Sequence, residues 1–161
     1  GVALAPDESY LLVAETIRYR ILKLWLKGPR AGEWVEFVSG MPGFPDNISL
    51  SHAGLVWVSL PAPRVPVLDF LLPRHPILRQ LALRVPQRLH PKEEDVVWVQ
   101  AYDLAGTLVH DIKTKHPRLS YITAAAESGG TVWLASVHHN VLGRIDLCRG
   151  NGEGLQVASI G

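Results

Sequence analysis

Short apolar runs separated by turn residues dominate this chain. The run Trp34–Val38, for example, alternates apolar and polar side chains, and clusters of Gly, Pro, Asn and Asp bound such runs. Alternation with a period of two is typical of β-strands, whose successive side chains point to opposite faces. Many short strands without long helical segments between them indicate an all-β sandwich, barrel or propeller. We predict strands at 11–14, 20–26, 34–38, 55–60, 96–102, 108–112, 121–124, 131–135 and 142–147.

A repeat narrows this choice to the propeller. A polar turn that leads into an apolar strand with small residues at its end occurs at 6–14, 51–59 and 127–135. The first two copies lie about 45 residues apart, a typical period for one four-stranded propeller blade. The third copy comes later because a segment interrupts the second repeat. The spacing predicts roughly two blades and most of a third.

The interrupting segment, at about 65–91, is predicted to be a short helical insertion. Two short amphipathic runs, 67–72 and 77–84, are separated and followed by prolines, which break helices. Four arginines give the segment a basic edge. Three interpretations stay open: a helical cap that buries its apolar face on the propeller, a lid over a cavity, or a contact with a membrane surface.

Composition limits the function classes. A length of 161 residues suits one domain with a sizeable core, and the net charge of +1 gives no field that would favour nucleic acid. The single cysteine, Cys148, excludes an internal disulfide framework and a multi-cysteine zinc site. No run approaches the roughly 20 apolar residues of a membrane helix. Composition does not indicate a compartment.

The pair Asp46–Asn47 is the main candidate for chemistry. It ends a turn rich in Pro and Gly and opens a predicted strand hairpin. Carboxylate and amide oxygens are the ligands that Ca²⁺ prefers, although the ion takes six to eight of them. The alternative is an Asx turn that caps a strand. The pair therefore predicts some of the ligands of a metal site, and the other ligands would come from elsewhere.

Several motifs in order resemble the strictosidine synthase-like family, and most closely its adipocyte plasma membrane-associated branch. They are GVALAPD (1–7), LVAET (12–16), WLKGP (25–29), MPGFPDNI (41–48) and the turn and strand at 127–135. The resemblance implies a six-bladed β-propeller related to gluconolactonases and paraoxonases. It implies that residues 1–147 form about half of that propeller, its C-terminal half, with 148–161 as a tail or partial closing strand.

The resemblance also implies a calcium ion in the central channel of the complete propeller. In the lactonase relatives the ion takes ligands from the inner strands of several blades. Asp46 matches the family's Asp ligand and Asn47 matches the Asp-Asn pair of the paraoxonase branch. A further Asn ligand stands in the family just before the position of Gly1, and a Glu ligand lies in the first blade. Both would lie upstream of this chain.

Two further residues are expected to line the cavity. Aligning the 127–130 turn with the family pattern puts Thr123 at the position of the catalytic Glu of strictosidine synthase. A threonine does not act as a base at neutral pH, so strictosidine synthesis itself is not expected. His139 matches a histidine that borders the cavity in parts of the family. No catalytic residue is assigned by the sequence.

Two functions from different classes follow. The first is a calcium-dependent hydrolase of the lactonase or arylesterase type, acting on a small ester or lactone. The second is a non-catalytic binding or membrane-associated propeller, with the 65–91 insertion as its contact. A half propeller leaves apolar sheet faces uncovered, so the expected partner is the missing N-terminal half or a second copy of the chain. Nucleic acid is not an expected partner.

Overall fold

The structure is a computed structural model that describes residues 1–64, 95–147 and 154–159. These residues form three four-stranded antiparallel sheets, each with its strands in chain order. The first sheet holds β1 to β4, the second β5 to β8, and the third β9 to β12. The strands are β1 (Val2–Leu4), β2 (Tyr10–Glu15), β3 (Arg20–Trp25), β4 (Trp34–Val38), β5 (Ile48–Leu50), β6 (Val56–Ser59), β7 (Val97–Tyr102), β8 (Leu108–Thr114), β9 (Ile122–Ser128), β10 (Thr131–Ser136), β11 (Val141–Asp146) and β12 (Gln156–Ser159).

The sequence repeat corresponds to the second strand of each sheet. Its three copies coincide with β2, β6 and β10 together with the turn that precedes each strand. A four-stranded antiparallel sheet that repeats along the chain is the unit of a β-propeller. The prediction of an all-β, propeller-type chain with two to three blades is therefore confirmed.

The predicted insertion interrupts the second sheet. β6 and β7 pair directly, with Ser59 opposite Val99, although the long segment between these strands separates them in sequence. The helices expected within 65–91 lie outside the described residues. The two strands that flank the segment in sequence, β6 and β7, are fully buried.

Two hydrophobic clusters hold the three sheets together. Val56 and Val58 of β6 face the first sheet, whereas Trp57 between them faces the third. The strand β7 is shared in the same way, with Trp98 on one side and Val97 on the other. A sheet covered on both faces has near-continuous apolar strands, which explains the composition of β6 and β7. Full burial of one such aliphatic side chain contributes about 1.5–3 kcal/mol.

The first strands of the three sheets lie side by side. β1 contacts β5, and β5 contacts β9, so these three are the inner strands. The fourth strand of the third sheet, β12, lies in the C-terminal tail (148–161). It pairs with β11, and Val157 lies opposite Gly143. In the described part of the chain, no helix is long and apolar enough to cross a membrane.

Candidate functional site

The candidate site lies where the three inner strands begin. Gly1 directly precedes β1, Asp46 and Asn47 precede β5, and Thr123 is the second residue of β9. We call these four residues the inner rim. The structure therefore brings together Asp46, Asn47 and Thr123, three of the four residues predicted from sequence. It places the fourth, His139, in the loop between β10 and β11.

Gly1 makes the closest backbone approach in the rim. A Cβ atom added to Gly1 would lie 2.5 Å from the Asn47 Cα and 2.6 Å from the Asp46 carbonyl oxygen. Real Cβ atoms are not found at such distances from backbone atoms, so only glycine fits here without a shift. The start of β1 is thereby held directly against the Asp46–Asn47 pair.

Asn47 links the second sheet to the third. Its side-chain Nδ2 donates a 2.7 Å hydrogen bond to the backbone carbonyl of Thr123. Ser59 supports the same contact, because its hydroxyl lies 2.7 Å from that carbonyl and accepts a 3.2 Å hydrogen bond from the Asn47 backbone N–H. Ser59 is fully buried, so its hydroxyl depends on these bonds instead of on water. The Asn47 Oδ1 is the remaining acceptor of the side-chain amide.

A β-bulge makes the Thr123 carbonyl available. In the pairing of β9 with β10, Ala124 lies opposite Ala135 and Ile122 lies opposite Ser136, so Thr123 is the extra residue. A bulge residue leaves the ladder of hydrogen bonds, and bulges are frequent beside functional sites. Here the freed carbonyl accepts from Asn47 and Ser59 of the neighbouring sheet instead of from its own sheet.

Asp46 contributes a carboxylate to the rim. Its backbone N–H donates to the Ser59 carbonyl at 3.0 Å, which fixes the position of the residue, and its side chain is half-buried. Among residues 1–64, 95–147 and 154–159, no hydrogen bond or salt bridge reaches the carboxylate. A half-buried carboxylate lacking a donor suits a cation ligand, since a carboxylate accepts and does not donate.

The oxygens of Asp46 and Asn47 fit part of the ligand set of a calcium ion. Asp46 can supply carboxylate oxygens and Asn47 its Oδ1, whereas Ca²⁺ takes six to eight oxygen ligands. Within the described ranges, no group of three or more His, Cys, Asp or Glu residues could hold a metal ion. Further oxygens would have to come from backbone, water, or residues beyond those described.

The residues around His139 form a second polar cluster. Its Nε2 lies 3.0 Å from the hydroxyl of Ser120, two residues before β9. The same hydroxyl donates to Asp95 Oδ1 at 3.4 Å. The neighbouring His138 stacks instead on Tyr121, with ring centroids 4.4 Å apart. Thus the two adjacent histidines have different partners, and His139 alone contacts Ser120.

Sequence reasoning missed Ser59, Ser120 and Asp95. Ser59 ends a repeat copy, where the pattern indicates a small residue but no role for it. Ser120 and Asp95 flank predicted strands, but their contact joins positions that are 25 residues apart. Such contacts leave no local periodicity, so a single sequence carries no signal for them.

The fold places the chain among partial β-propellers, and solved structures agree. A gluconolactonase from Xanthomonas campestris superimposes with a TM-score of 0.51 at 16% identity, covering 84% of this chain and 34% of that one. A calcium-binding protein, regucalcin, from Agrobacterium tumefaciens superimposes with a TM-score of 0.53 at 15% identity, covering 99% of this chain and 44% of that one. At this level of identity, the likeness shows the fold alone.

Sequence relatives confirm the family resemblance. Strictosidine synthase-like 13 of Arabidopsis thaliana is 41% identical over 145 residues, which are 87% of this chain and 33% of that protein. The adipocyte plasma membrane-associated protein of Homo sapiens is 33% identical over 158 residues, 91% of this chain and 37% of that protein. The chain is therefore related to the strictosidine synthase-like and adipocyte plasma membrane-associated proteins. It spans 33–41% of the length of the curated relatives it matches. No family model matches it.

Proposed function

We propose that this chain is a portion of a calcium-binding propeller that, when complete, hydrolyses small esters or lactones. The observation that carries the proposal is the rim carboxylate of Asp46, which is half-buried and has no donor partner in the described part of the chain. Asp46 and Asn47 would hold the ion. A bound calcium ion would polarise the carbonyl oxygen of a substrate and stabilise the charge that develops on it.

The rest of the rim positions these two ligands. Asn47 is locked by its Nδ2 hydrogen bond to Thr123, which leaves Oδ1 as the acceptor. Gly1 lies against the backbone of both ligands, so a residue preceding Gly1 in a longer protein would lie beside Asp46. This arrangement supports a further ligand from upstream. Thr123 supplies no base, so strictosidine synthesis is not proposed.

The proposal is tested by hydrolysis assays on the full-length protein. Phenyl acetate and δ-valerolactone serve as probes, with calcium present or removed by a chelator. We expect calcium-dependent turnover in the wild type and its loss in Asp46→Asn. The matched control is Glu33→Gln, which removes one carboxylate charge at the exposed turn before β4. Turnover that persists without calcium, or that survives Asp46→Asn, would refute the proposal.

A second candidate function is a non-catalytic, membrane-associated propeller. Its support is the name of the relatives at 31–33% identity, which are called adipocyte plasma membrane-associated proteins. The contact would be the 65–91 insertion, which lies outside the described residues. Liposome flotation of the full-length protein, with and without 65–91, tests it. Equal flotation of the two forms would remove the insertion as a membrane contact.

We also propose that the outer face of the first sheet packs against a further sheet. Leu4, Leu11, Leu24 and Trp34 lie in one cross-strand row on the face turned away from the second sheet. Leu4 and Trp34 are 49% and 52% exposed, although both are large and apolar. An apolar row of this size is typical of an interface. A further blade of a longer propeller or a second copy of the chain would cover it.

A further inference from the structure

The side chains of Asp95, Ser120 and His139 form a hydrogen-bonded chain at the end of the sheets where the inner rim lies. Ser120 stands three residues before Thr123, a distance of at most about 11 Å along the backbone. The cluster is held firmly, because the Ser136 hydroxyl donates a 2.6 Å bond to the Ser120 carbonyl. The Tyr121 backbone N–H donates to the Val96 carbonyl at 3.2 Å, which ties the same segment to the second sheet.

The order of the three groups excludes a serine nucleophile. Ser120 is only 5% exposed, and the carboxylate lies beside the serine instead of beside the imidazole. In a nucleophilic triad, the acid orients the histidine, and the histidine removes the proton from serine. Here the serine lies between the other two groups, so its role is to orient His139.

The direction of the hydrogen bonds follows from the chemistry of each group. A carboxylate only accepts, so Ser120 donates its single hydroxyl proton to Asp95. With that proton directed to Asp95, the Ser120 oxygen accepts at 3.0 Å from His139, an arrangement that requires the tautomer with the proton on Nε2. In neutral imidazole the other nitrogen, Nδ1, is then an acceptor with a free lone pair. A hydroxyl that donates to Asp95 therefore favours the Nε2–H tautomer of His139.

We propose that His139 is the general base of the hydrolysis and that Ser120 and Asp95 are its positioning residues, an inference that rests on the proposed function. Nδ1 takes a proton from a water molecule as the water oxygen bonds to the carbonyl carbon of the ester or lactone. The carbonyl electron pair moves to its oxygen. When that pair returns, the carbon–oxygen bond to the leaving alkoxide breaks, and His139 gives the alkoxide its proton. The products are a carboxylic acid and an alcohol.

The titratable groups beside His139 in the described part of the chain define a matched control. They include Asp95 from the segment before β7, Tyr121 from the segment before β9, and His138 in the same loop. His138 stacks on Tyr121, and among the described residues it makes no hydrogen bond to Ser120. His138→Gln therefore removes a neighbouring histidine from the same loop and leaves the Asp95–Ser120–His139 chain intact.

Two measurements on the full-length protein test the inference. The first is the pH profile of kcat/KM for phenyl acetate in calcium. We expect His139→Gln to lower kcat about 100-fold, within the usual range for a lost general base, and to remove the acid limb in which a histidine gains its proton. Ser120→Ala should lower kcat with little change in KM, and His138→Gln should leave the profile as in the wild type.

The second measurement is the tautomer of His139, read from the ¹⁵N chemical shifts of the ring. We expect the Nε2–H form in the wild type and a mixture of tautomers in Ser120→Ala. An Nδ1–H form in the wild type overturns the inference whether or not the protein is a hydrolase. Calcium-dependent hydrolysis with an unchanged profile in His139→Gln overturns the inference alone. Absence of calcium-dependent hydrolysis in the wild type overturns the proposed function and, with it, the role of His139 as a base.

Discussion

The side-chain amide of Asn47 donates a 2.7 Å hydrogen bond to the backbone carbonyl of Thr123, 76 residues further along the chain. The bond joins the inner strands of two neighbouring sheets at the point where both begin. It also orients the amide whose remaining oxygen we assign to calcium. The Asn47 side chain therefore contributes both to the stability of the fold and to the geometry of the proposed calcium site.

Removing this amide should weaken the contact between the second and third sheets. We expect Asn47→Ala to lower the free energy of unfolding by about 1–2 kcal/mol, because Ser59 still donates to the Thr123 carbonyl. Chemical denaturation of the full-length protein measures the change. The control is Asn140→Ala at an exposed loop position, expected to stay within about 0.5 kcal/mol. Equal stability of the two variants would contradict the role given to Asn47.

A side chain at Gly1 should disturb the rim itself. Because the new Cβ would meet backbone atoms of Asp46 and Asn47, we expect Gly1→Ala to cost about 1–3 kcal/mol and to shift both residues. Gly28→Ala is the control, since its Cβ meets no atom within 4 Å and only backbone strain at φ +82° remains. Hydrogen exchange of the Asn47 amide should accelerate in Gly1→Ala only. The same exchange rate in both variants would be evidence against the close approach.

Stability should fall at alkaline pH because of Tyr102. Burial raises the pKa of Tyr102 to about 12, and the charge of Asp111 adds to the effect. The raised pKa means that the folded state favours the neutral phenol. The contribution of the neutral Tyr102 phenol to the stability of the fold is complete below pH 10, the ordinary tyrosine pKa. This contribution is lost as the pH rises from 10 to 12.

The loss should reach about 2–3 kcal/mol, because each pKa unit corresponds to about 1.4 kcal/mol. Urea unfolding of the wild type and of Tyr102→Phe between pH 9 and 12 measures it. The wild type should lose stability more steeply than the variant, which has no phenol at this position. Parallel curves would show that Tyr102 titrates normally in the folded protein.

The outer face of the first sheet should behave as core in the full-length protein. We expect Leu24→Lys to destabilise that protein by at least about 2 kcal/mol, since a covered apolar row would have to accommodate a charge. Leu104→Lys, at an exposed turn, is the matched control and should have little effect. Thermal unfolding measures both. Equal melting temperatures of the two variants and the wild type would mean that nothing covers the face.

Sequence patterns predicted the repeated unit of the fold better than its inner strands. The turns and apolar runs of the sequence predict the second strand of each sheet. The strands β1 and β5 have three residues each, which is too short to show the alternation of apolar and polar residues that identifies a strand. The expectation that Asp46, Asn47 and Thr123 lie at one central cavity rests on the family resemblance. Its physical basis, the Thr123 bulge and the buried Ser59 hydroxyl, depends on pairing between distant strands, which a local pattern does not encode.

Calorimetric titration of the full-length protein with calcium tests whether Asp46 is a calcium ligand. We expect the wild type to bind one calcium ion and Asp46→Asn to bind it at least about tenfold more weakly, because a carboxylate charge is lost from the ligand set. Equal calcium affinity in the wild type and in Asp46→Asn, or no binding to the wild type, would contradict it.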